Sequence, residues 1–236
     1  MNDLTQKFLE HFGCPYTFFA RDTKPEVIEE SYLKALADCK GKGWYPALVI
    51  AEEELMYEIT DQPGREQLIA GCGNNGKEIL NSKCDIEDID MEEDEEIFHR
   101  KMGKCPPFSP VNHFASFILF EGNMEETVLL QIPVENPWEL IAWIPMGGWN
   151  ECLDPGEMIS VAKYWYEQYG AVPAVFGHDM LEFYLEEGVS SDVSVILATE
   201  YVAFCPDRLN QGTKTGTISE IAASLIDEHI WTFWWD

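Results

Sequence analysis

The sequence predicts an α+β protein: a mixed sheet with flanking helices, its C-terminal strand inserted in the sheet. Three observations lead there. Apolar residues recur with both the helical and the alternating period, and the two kinds of segment interleave along the chain. Two expected strands, residues 111–120 and 127–133, flank the turn Glu121-Gly122-Asn123 and read as a hairpin, which a purely parallel sheet does not use. Finally, the chain closes on Trp231-Thr232-Phe233-Trp234-Trp235-Asp236. Large rings each bury roughly 150–250 Å² when packed, so left as a frayed end they would form an aggregation patch. Seven of the eight Trp lie between Trp138 and Trp235, which places the most strongly specified core in the back half.

The front half alternates helices with at least one strand. Met1 to Cys14 has Leu4, Phe8, Leu9 and Phe12 on one side of a short amphipathic helix. Thr23 is positioned to cap a second helix, with Pro25 and Glu26 in its first turn and Val27, Ile28, Tyr32 and Leu36 facing inward. Gly41 and Gly43 end it. Trp44 to Ile50 reads as a buried strand and Glu52 to Ile59 as a short helix, whereas residues 61–77 are turn-rich and give no clear period. Residues 85–96 are nearly all acidic and lead into a helix expected around 95–102. Cys105-Pro106-Pro107-Phe108-Ser109-Pro110 is the natural linker, dividing a front segment (1–104) from a back domain (113–236), with one shared core as the alternative.

In the back half, Leu140 to Ile144 reads as a further strand. Asp154, Pro155 and Glu157 form a start signal like a capping box, and Met158, Val161, Ala162, Trp165 and Tyr169 then face one way until Gly170. Val172–Phe176 and Met180–Leu185 follow as strands, 192–204 as a mostly buried helix, and Thr217-x-x-Glu220 opens a last helix before the strand from Ile230.

Charge narrows the function. The chain of 236 residues carries 43 Asp and Glu against 15 Lys and Arg, a formal charge of −28. After residue 123 the only cations are Lys163, Arg208 and Lys214. Nucleic-acid binding requires clustered cations, and so does docking on anionic membranes, so neither partner is expected. A basic protein suits this charge. The start shows no export signal, no segment approaches the ~18 apolar residues of a membrane span, and seven unpaired-looking cysteines fit reduced thiols in a cytoplasm.

Several motifs fall to a plainer reading. Gly71-Cys72-Gly73-Asn74-Asn75-Gly76 matches GxGxxG, but an acidic run follows in place of the second strand a dinucleotide site needs. From Asp88 the run fails the calcium-loop pattern, with Glu93 at the sixth position and His99 at the twelfth. Cys84, His99, Cys105 and His113 lack the close pairing of structural zinc ligands. No metal or cofactor is expected.

What remains is a set of polar turns beside strand and helix ends, where ligand sites form in open sheets. Cys152 near a helix start is a candidate nucleophile, and His178, held by Asp179 or Asp207, a candidate base; Cys205 and Asp207 complete the catalytic candidates. Trp149, Asn150, Glu151 and Arg208 are candidate ligand contacts. The competing view makes Asn150, Asp154 and Asp207 loop ties, the cysteines core filler, and Arg208 the partner of a carboxylate.

The same stretch carries a resemblance. Pro137-Trp138-Glu139, Gly148-Trp149-Asn150-Glu151-Cys152, Tyr169-Gly170-Ala171-x-Pro173, Cys205-Pro206-Asp207 and Trp231-x-Phe233-Trp234-Trp235-Asp236 together resemble a bacterial family catalogued as domain of unknown function 4253. Leu153 departs from it, at a position where proline is expected in the family. The resemblance implies a bacterial intracellular protein and supplies no reaction, cofactor or catalytic residue. The expected function is therefore a non-enzymatic interaction module, such as an inhibitor or immunity protein against a basic partner. The alternative is a small-molecule-binding or thiol-dependent enzyme built on the Cys/His/Asp cluster.

Overall fold

Alternation along the strands decides which side of the sheet becomes the main core. The computed structural model describes residues 1–83, 112–118 and 125–236. Six strands form one mixed sheet: β1 (Tyr16–Phe19), β2 (Tyr45–Ile50), β3 (Thr127–Ile132), β4 (Val172–Phe176), β5 (Met180–Tyr184) and β6 (Ile230–Trp234), in the order β1-β3-β2-β4-β5-β6. Among the described strands only the β2/β4 pair is parallel. Strands from both halves of the chain therefore share this sheet, and the C-terminal strand lies in it.

Successive side chains of a strand point to opposite faces. Ala47 and Val49, Val128 and Leu130, Leu181 and Phe183, and Trp231 and Phe233 all enter the larger core cluster, while Leu48, Leu129 and Ile230 enter a second one. The larger face is covered by most of the helices: α1 (Asp3–Phe12), α3 (Glu53–Asp61), α4 (Arg65–Gly71), α5 (Gly76–Lys83), α7 (Leu140–Trp143), α8 (Pro155–Tyr169), α9 (Ser191–Phe204) and α11 (Ile218–Leu225) all contribute buried side chains to its core. On the opposite face lie α2 (Pro25–Cys39) and the short α6 (Ala115–Ile118), through Ile28, Tyr32, Phe114 and Phe117. One small helix, α10 (Asp207–Asn210), precedes α11.

The aromatic terminus is buried as its composition requires. Trp165 of α8 stacks on Phe233 at 5.5 Å between ring centres and meets Trp231 edge-on at 5.5 Å. Trp231, Phe233 and Trp235 are all buried.

Several sequence expectations are corrected. Residues 115–118 are helical rather than part of a strand, and β3 pairs with β1 and β2; the expected turn Glu121-Gly122-Asn123 lies outside the described residues. Residues 140–143 are helical, entered through a 3-10 turn at Pro137–Glu139. Tyr16–Phe19, α4 and α5 were not expected as elements. Lys24, not Thr23, stands at the start of α2, and Asp154 starts α8 without a side-chain capping bond. Gly71 ends α4 and Gly76 starts α5, so no strand leads into the GxGxxG match. The acidic run, the proline-rich linker and Cys84, His99 and Cys105 lie outside the described residues. Among the described residues no helix is long and apolar enough to cross a membrane.

Candidate functional site

Ligands of open sheets gather beyond the carboxyl ends of parallel strands, and here that means the ends of β2 and β4. Ile50 leads into Glu52 and α3, and Phe176 leads into Gly177-His178-Asp179. The Glu52 carboxylate accepts the backbone N–H of His178 at 2.6 Å, tying the two strand ends together. Burial pushes the Glu52 carboxyl above its ordinary range, against the lowering effect of that amide.

His178 then reaches the next turn of α3. Its Nδ1 lies 3.1 Å from Oε1 of Glu58, and its ring stacks on Trp149 at 5.3 Å with 24° between planes. Trp149 is delivered by the turn at 147–152. Gly147 has φ +97°, and a Cβ there would sit 2.3 Å from the Leu153 carbonyl oxygen, so only glycine fits. Glu58 is raised chiefly by burial, while His178, the Trp149 indole and the Gly147 amide pull it back. Glu58 Oε2, Trp149 Nε1 and His178 Nδ1 are all buried, and none makes a hydrogen bond of good geometry. A carboxyl group, an imidazole and an indole N–H thus face one another here in loosely aligned contacts.

The fold scatters the remaining sequence candidates. Among the described residues, His178 is held by Glu58 and Trp149, not by Asp179 or Asp207. Cys152 and Cys205 are buried in the main core. Cys205 donates its thiol to the Trp234 carbonyl at 2.8 Å, and burial pushes its pKa up to about 12. Burial also pushes the Cys152 thiol well up, with Cys205 and Glu58 adding to the effect. Neither sits where a thiolate would be favoured. Asp207 accepts the Asp236 N–H at 3.1 Å and the Gln211 amide at 3.2 Å, and Asn150 donates to the Asp236 carbonyl at 2.9 Å, so both tie down the C-terminal residues. Arg208 lies over the Trp234 ring at 4.9 Å and over the Tyr201 ring at 5.6 Å. Glu151 is exposed. His113 lies 3.0 Å from Glu29, and among the described residues no three His, Cys, Asp or Glu side chains gather to hold a metal ion.

A direct chemical expectation follows. In native protein treated with iodoacetamide at pH 8, the peptides containing Cys152 and Cys205 should stay unmodified while denatured protein labels fully. Labelling of either in the native state, below the free-cysteine pKa of about 8.5, would favour the thiol-enzyme reading.

Glu58 is the residue that sequence reasoning missed. It follows Leu55 by three and precedes Ile59 by one, so it lies on the buried side of α3. A carboxylate on an apolar helical face was the available signal.

Residues 128–236 match the family model described as domain of unknown function DUF4253. No curated protein and no solved structure matches the chain.

Proposed function

We propose that this protein, whose residues 128–236 match the DUF4253 family model, is a non-enzymatic interaction module whose partner is a basic protein. The observation that carries the proposal is the charge of −28, from 43 acidic against 15 basic side chains. Such a field accelerates encounter with cationic surfaces and repels anionic ones. Burial of Cys152 and Cys205, which disfavours their thiolates, supports the same reading. An inhibitor or immunity-type role toward a basic target is the form of interaction that this charge suits best.

Affinity capture on immobilised protein, washed at about 50 mM and then about 500 mM NaCl, tests the proposal, because the Debye length shrinks severalfold across that range. Basic partners should be retained at low salt and released at high salt. A specific partner held with complete indifference to salt would overturn it.

A second reading rests on Glu58, Trp149 and His178. Their clustering at the carboxyl ends of β2 and β4 suits a small polar molecule.

A further inference from the structure

At the opposite end of the parallel pair, where β2 and β4 begin, an open groove of about 670 Å³ is walled by Tyr45, Tyr166, Tyr169 and Tyr184 and rimmed by Glu167 and Glu187. We infer that this groove binds an arginine side chain of the basic partner. The inference rests on the proposed function and locates its contact.

Three independent features favour a cation there. Aromatic faces carry negative electrostatic potential at their centres, and four tyrosines line the groove. Two long helices, α2 and α8, end at the groove, and the carbonyls of a helix's last turn give that end a partial negative charge. Neither helix has a basic residue in its last turn; Lys40, at the C-cap of α2, is drawn to Glu186. The rim adds exposed carboxylates. Glu186 also lines the groove, and its 3.1 Å ion pair with Lys40, both well exposed, occupies the one cation lining it among the described residues. Three lining carboxylates therefore face one ammonium.

Guanidinium is preferred over ammonium because a planar cation stacks on rings while its N–H groups reach carboxylates and carbonyls at the edge. The chain already places its own arginines over aromatic rings. Arg65 lies 3.7 Å from the centre of the Trp143 ring, and Arg208 lies over Trp234.

The test is titration of the intact protein with octa-arginine and octa-lysine peptides by calorimetry at low salt. Octa-arginine should bind severalfold more tightly than octa-lysine. The double variant E167K/E187K should weaken octa-arginine about tenfold or more, while E26K/E30K, an equal charge change on the first half of α2, should weaken it by less than about threefold. Tyr166→Phe should retain affinity and Tyr166→Leu should lose about threefold or more, because only the ring face matters. Equal loss from the two double variants would overturn the groove assignment and leave the basic-partner reading standing. Failure of octa-arginine to bind, or its equality with octa-lysine, would also overturn the groove assignment, and salt-indifferent capture would overturn the reading beneath it.

Discussion

Glu182→Ala is expected to destabilise the protein by about 2–5 kcal/mol, because two backbone amides each lose an acceptor at roughly 1–3 kcal/mol apiece. Glu182 lies in the middle of β5, and the alternation that sends Leu181 and Phe183 into the main core turns it toward the opposite face. There its oxygens accept the N–H of Ala115 at 2.8 Å and of Ser116 at 3.2 Å, the Ser116 hydroxyl, and the Thr232 hydroxyl at 2.8 Å. The first two are amides at the start of α6, so the carboxylate serves as that helix's cap from another element. Burial raises its pKa, and these donors oppose the rise. Removing the side chain would orphan the donors and release Phe114 and Phe117 from the second core. Urea denaturation followed by tryptophan fluorescence should show the loss, with Glu182→Gln, which keeps an acceptor, losing less. A change below about 1 kcal/mol in the Ala variant would mean that the carboxylate does not hold the segment.

Glu228→Gln should act in the opposite direction, and only at higher pH. Glu228 is buried, its Oε2 has no partner, and burial pushes its pKa up to about 8, with Arg208 pulling it down. In the window between the ordinary 4.5 and about 8, the folded protein holds a proton that the unfolded chain has released. Stability contributed by this group is thus complete below the lower value and is lost as pH rises through the window, at about 1.4 kcal/mol per unit. The wild type should weaken between pH 5 and 8, and Glu228→Gln should flatten that decline and gain on the order of a few kcal/mol at pH 8. Glu52, Glu58, Glu182 and Glu200 are raised by burial too, so the wild-type slope has the same sign from several sources, and only the difference between the two proteins isolates Glu228. Parallel stability curves for the two proteins would refute the assignment.

These two residues also show why local sequence gave only part of the fold. Helices with their own signals were readable: α8 ends at Gly170 in the left-handed conformation, and Thr217 caps α11 by accepting the Glu220 N–H. The strand β6 was readable because its aromatic side chains had to be buried. Residues 115–118 were not, because the acceptor that starts their helix is Glu182, 66 residues away from Ser116. Leu140-Ile141-Ala142-Trp143 is a continuous apolar run, which fits a buried strand and a buried helix equally until its neighbours are known. The site divides in the same way. Trp149 and His178 stand out as aromatic and titratable residues in turns, whereas Glu58 gains its meaning from a histidine 120 residues later.

The strand order has a consequence for the growing chain. β3 and β4 both fall within or at the edge of the stretch shared with the family, yet β2 lies between them. On the ribosome, β2 emerges long before either neighbour exists, and it waits through about 80 residues of synthesis for β3 and about 125 for β4. Nascent-chain folding from the N-terminus outward is therefore closed to the sheet, and its assembly belongs to the slow regime of distant pairings. Until β4 is made, Ala47, Leu48 and Val49 form an apolar strand with an unpaired edge, the kind of segment that holdase chaperones retain.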